Sequence, residues 1–149
     1  MLESTHCENG HLPSERNGWK EIVPHLQNLS DAGCYRLGCS EDDLRDAVYA
    51  AGFALFEADL KGVKGKKNLL NVLAHATGFP DEFGVNWDAL VDLLCDLSWC
   101  EAPGYVLLLK NASPTLGLSA NDREIAQDIL DDTVVYWRQR GKPFWIFFS

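Results

Sequence analysis

The chain has 149 residues, 46% of them hydrophobic and 23% charged, with a formal net charge of −9. That balance describes one domain able to bury its own core, and it excludes disordered, collagen-like and fibrous classes. No apolar run approaches the roughly 18 residues of a membrane span, and the first thirty residues lack a signal-peptide core. The expected location is therefore the cytoplasm. Five cysteines (7, 34, 39, 95 and 100) follow neither a disulfide-scaffold nor a zinc-site spacing, so they read as reduced thiols. His6, Cys7 and His11 are an accidental trio without a fourth ligand at a set spacing.

In chain order, residues 1–33 read as an N-terminal extension, partly ordered at best. Trp19, Ile22, Val23 and Leu26 have helical spacing, but Pro24 interrupts it and favours a short helix at 24–30. Residues 34–37 form a strand candidate. Ser40 then caps a helix whose first-turn acids Glu41, Asp42 and Asp43 suit the dipole. Its apolar face is Leu44, Ala47, Val48 and Ala51, and Gly52 ends it. Residues 53–59 are a strand, and 60–67 a Gly/Lys loop. Leu69, Leu70, Leu73 and Thr77 carry a second helix, stopped by Gly78 with Pro80 beyond.

Asn86 caps a third helix, with Leu90, Leu93, Leu94 and Leu97 inward at i, i+3, i+4 and i+7. After a Pro103-Gly104 turn, residues 105–109 are apolar throughout, as in a strand buried on both faces. Asn121 or Asp122 opens a long helix with Ile125, Ile129, Val134 and Trp137 toward the core, ending at Gly141. Residues 144–148 are the last strand. The order β-α-β-α-α-β-α-β predicts an α/β domain over 34–149. Its small, mostly parallel sheet has three to four strands packed with about four helices.

Charge is unevenly placed. Residues 68–109 contain no Lys or Arg but six acids: Asp81, Glu82, Asp88, Asp92, Asp96 and Glu101. Such a stretch disfavours nucleic acid as a direct ligand and favours a basic partner. Asp88, Asp92 and Asp96 fall at i, i+4 and i+8, one ridge opposite the leucines. Each like-charged pair costs an isolated helix about 0.2–0.5 kcal/mol, of which only Asp88 recovers part from the dipole. A helix built this way gains when a Lys or Arg surface arrives, although a solvated face is the plainer reading of spacing alone.

Catalytic motifs are missing. There is no G-x-S-x-G, H-E-x-x-H or G-x-G-x-x-G, and residues 62–67 depart from the phosphate-loop pattern. Lysines 61, 64, 66 and 67 read as a solvated loop rim. His75 reads as a hydrogen-bonded structural histidine. Trp87, Trp99, Trp137 and Trp145 read as core, with Trp87 bordering the acidic ridge and partly exposed. Neither an enzyme nor a bound metal or cofactor is expected.

The run Gly78-Phe79-Pro80-Asp81-Glu82-Phe83-Gly84-Val85-Asn86-Trp87-Asp88-Ala89-Leu90 resembles the signature of the barstar family of ribonuclease inhibitors. Its most specific part is Gly84, Asn86 and Asp88-Ala89-Leu90. The likeness covers about residues 53–149; the strand and helix at 34–52 are extra to the shorter family form. It implies a protein inhibitor that occludes the active site of a basic ribonuclease or nuclease-type toxin, its acids standing in for RNA phosphate. It further implies a monomer binding one to one, with no direct contact to nucleic acid or membrane.

The resemblance also assigns residues. Asp88 and Asp92 are the acidic contacts, Gly84 and Asn86 position the helix, Glu82, Phe83 and Trp87 flank it, and Asp96 steers. Departures fall on the surround. Glu82 stands where the family has a loop tyrosine, and Val91 where it has a tryptophan. Tyr136 takes the second acidic position on the long helix, with Asp132 one turn earlier. These changes point to a nuclease other than barnase. The alternative function is an interaction or adaptor module that kept the fold and lost the ribonuclease.

Overall fold

A computed structural model describes residues 18–78 and 86–149. Helix α1 (Gly18–Leu26) leads through a 3₁₀ turn at Leu29–Asp31 into strand β1 (Cys34–Arg36). Then come α2 (Glu41–Ala51), β2 (Ala54–Asp59), α3 (Lys66–Ala76), α4 (Trp87–Leu94), β3 (Tyr105–Lys110), α5 (Ala120–Arg138) and β4 (Phe144–Phe148). The four strands form one parallel sheet in the order β1-β4-β3-β2. The α/β class read from the sequence is therefore present, with five α-helices among the described residues.

Hydrophobicity sets the strand order. Tyr105–Leu109 of β3 are all buried, so the strand with no polar face takes an interior place. β2, at one edge, buries Phe56 and Ala58 while Glu57 and Asp59 reach toward solvent. β1 forms the other edge, pairing Cys34 with Ile146 and Arg36 with Phe148. Helix caps follow local chemistry. Ser40 Oγ accepts the Asp43 N–H at 3.0 Å, and Gly52 ends α2 at φ 76°. The long helix opens earlier than expected, because Ser119 rather than Asn121 or Asp122 is its cap, accepting the Asp122 N–H at 3.2 Å.

Pro24 does not open a helix; it lies inside α1. A missing donor near the end of a nine-residue helix is offset by what the helix buries. Leu26 is 1% exposed, and Trp145 Nε1 donates to its carbonyl at 2.8 Å. Trp19, Ile22 and Val23 pack on the core beside it. Arg138 Nη2 donates to the Ala32 carbonyl at 2.7 Å, tying the segment to α5 as well. Two other readings change. Lys66 and Lys67 are the first residues of α3 rather than loop, and His75, read as a structural histidine, is exposed.

Candidate functional site

Helix α4 is held at both ends. Asn86, extended at φ −149° and ψ 165°, accepts the Ala89 N–H on Oδ1 at 2.7 Å. This satisfies one of the donors that every helix start leaves free. Leu90, Leu93 and Leu94 are at most 1% exposed and fasten the inner face. Asp88, Val91 and Asp92, at i, i+3 and i+4, share the outer face, and all three are exposed. Asp88, Asp92 and the Asn86 cap are thus brought together on one rigid turn and a half.

Asp96 is not part of that ridge. α4 stops at Leu94, because Leu97 enters the left-handed region at φ 47° and turns inward to 1% exposure. Trp137 Nε1 takes up the Leu94 carbonyl at 2.8 Å, replacing the amide that a further turn would have offered. Asp96 is exposed in the turn that follows. Leu97 reaches the core as the periodicity required, by a different backbone path.

Trp87 is half-buried, with Lys66 Nζ 5.7 Å from its ring centroid. Tyr136 is half-buried and meets Trp137 edge-on at 5.2 Å. Arg140 lies over Tyr136, its Cζ 3.5 Å from the ring centroid, and its Nη1 donates to the Tyr136 carbonyl at 2.9 Å. Asp132 is exposed on the same helix. Half-buried Cys95 registers how close these charges are. Burial pushes its thiol pKa up; Arg140 pulls it down, and Asp92 and Asp132 push it up again. Glu82, Phe83 and Gly84, which the resemblance assigns to the same surface, lie outside the described residues.

Lys66 and Arg140 were missed in the sequence. Lys66 looked like loop, and Arg140 follows the end of α5, where no spacing rule ties it to Tyr136. Among the described residues no three His, Cys, Asp or Glu side chains gather as metal ligands would. No helix among them is long and apolar enough to cross a membrane. The surface consists of carboxylates aimed outward, able to accept charge-assisted hydrogen bonds from guanidinium or ammonium groups.

The fold is a parallel α/β domain that displays an anchored, acidic helix. The chain belongs to the barstar family: the family model described as barstar (barnase inhibitor) matches residues 53–149. No curated protein matches it. The family consists of inhibitors rather than enzymes, and membership implies a ribonuclease as the protein partner.

Proposed function

We propose that this protein inhibits a basic ribonuclease or nuclease-type toxin one to one, with Asp88 and Asp92 entering the cationic active site in place of RNA phosphate. One observation supports this reading most. Among the described residues Asp88 and Asp92 have no ion-pair or hydrogen-bond partner, whereas the cations Arg45, Lys110 and Lys142 all have carboxylate partners. Two like charges one turn apart, held by a capped and core-anchored helix, repel each other until a cationic surface arrives. Because the helix is already ordered, little conformational entropy is lost on docking. Asn86 and Trp87 shape the helix start, and Tyr136 with Asp132 forms the neighbouring wall. Glu82, Phe83 and Gly84 are assigned to the same surface by their place in the family signature, and Asp96 to long-range steering.

The test is an RNA-cleavage assay with small basic ribonucleases of the barnase type and the variants Asp88→Ala and Asp92→Ala. Losing either carboxylate weakens inhibition by about 2–5 kcal/mol, a range drawn in part from the barnase complex itself. Melting temperature stays nearly unchanged, since both side chains are exposed. Inhibition indifferent to both substitutions contradicts the site. A captured partner that is acidic and not a nuclease favours the adaptor reading instead.

A further inference from the structure

The acidic ridge is bracketed by two cations, one of which the fold places there at a local cost. Lys66 and Lys67 open α3 behind Gly65, with no side-chain cap and no acid in the first turn. Positive charge at a helix N-terminus opposes the macrodipole, so these lysines do not serve the helix they begin. Lys66 instead reaches over Trp87, the residue before Asp88, at 5.7 Å. At the other end Arg140 is exposed and stacked on Tyr136 at 3.5 Å. The Tyr136 carbonyl is the only hydrogen-bond acceptor of its guanidinium among the described residues. A guanidinium has five N–H donors in a rigid fork, so most of the fork is free and pre-oriented. The surface therefore alternates: cation on an aromatic, two carboxylates, cation on an aromatic.

We propose that Lys66 and Arg140 are specificity-determining residues, and that the surface fits a nuclease whose cationic active site is flanked by carboxylates. The inference rests on the inhibitor reading and narrows the partner it names. A rim of uniform positive charge meets Arg140 and Lys66 as like charges and is disfavoured. A rim carrying Asp or Glu gains a charge-assisted contact, two-pronged where it meets the Arg140 fork. The competing account of Arg140 is a helix C-terminal counter-charge alone, which affects stability and not partner choice.

The experiment is a binding titration of the full chain against a panel of small basic ribonucleases of the barnase type. It uses Arg140→Gln, Arg140→Lys, Lys66→Gln and Asp92→Ala, with melting temperatures measured alongside. For a nuclease that the chain inhibits, Arg140→Gln weakens binding about ten- to hundredfold, the scale of a charge-assisted hydrogen bond. Lys66→Gln weakens it less. Arg140→Lys recovers part of the loss, and exchanging one Asp or Glu of the nuclease for its amide abolishes the effect of Arg140→Gln. If Asp92→Ala weakens binding while Arg140→Gln and Lys66→Gln tighten it or leave it unchanged, the bracket has no selective role and the inference is overturned alone. If Asp92→Ala has no effect, or no nuclease of the panel binds, the inhibitor reading falls and takes the inference with it.

Discussion

Glu57 shows how this chain treats a charge it intends to keep at home. Arg45 grips both of its oxygens, Nη2 to Oε1 at 2.7 Å and Nε to Oε2 at 2.9 Å, and Lys110 Nζ stands 3.4 Å away. The Arg45 hydrogen bonds hold the Glu57 carboxyl below its ordinary value, with burial opposing and Lys110 assisting. A depressed carboxylate stabilises the fold above its unfolded pKa of 4.5 and ceases to do so as pH falls through the lower folded value. Glu57→Gln should therefore flatten the acid limb of a melting-temperature profile measured from pH 6 down to about pH 2. An acid limb as steep as in the wild type contradicts this. Asp88 and Asp92 are the opposite case, acids without partners among the described residues. Their placement was legible because helical spacing opposite a leucine face is a strong signal. Arg140 was not, because it rests on a ring face just beyond a helix, and no periodicity encodes that.

At the scale of elements, everything proposed for the binding surface depends on where α4 begins. Replacing an Asn cap by Ala costs about 0.5–2 kcal/mol. For a chain of this size, that corresponds to a fall in melting temperature of about 1–8 °C. Asn86→Ala should show that fall together with weaker nuclease binding, since the first turn carrying Asp88 frays. Lost stability with unchanged affinity would mean that the helix start does not touch the partner. The beginning of α4 was readable from Asn86 and the acid in its first turn. Its end was not: Leu97 adopts a left-handed conformation without being glycine, so the backbone turn left no mark in the sequence. The Asp96 position on the ridge failed for that reason. α1 failed differently, because burial of Leu26 outweighs the break that Pro24 alone predicts.

Across the whole molecule, the sheet was legible because its two interior strands, β3 and β4, have no polar face and its turns carry Gly, Pro and Asn signals. The extra strand β1 runs parallel to β4 and closes an edge that lies inside the family region. An unpaired edge there would offer free amides and carbonyls to other chains. The segment before β1 is fastened to the same strand through Leu26 and Trp145. Leu26→Ala should destabilise the domain by about 2–5 kcal/mol, read by denaturant melts. A loss below about 0.5 kcal/mol would mean that α1 is not part of the cooperative unit. The central claim concerns the acidic face of α4 and is tested by one titration. Increasing amounts of the full chain are added to each member of a panel of small basic ribonucleases of the barnase type, and RNA cleavage is followed at low and at moderate salt. The account predicts that cleavage by a member with a suitable rim falls to zero at one equivalent, with association slowing as salt screens charges beyond about 8–10 Å. Cleavage that persists for every member at every ratio and salt concentration would contradict it.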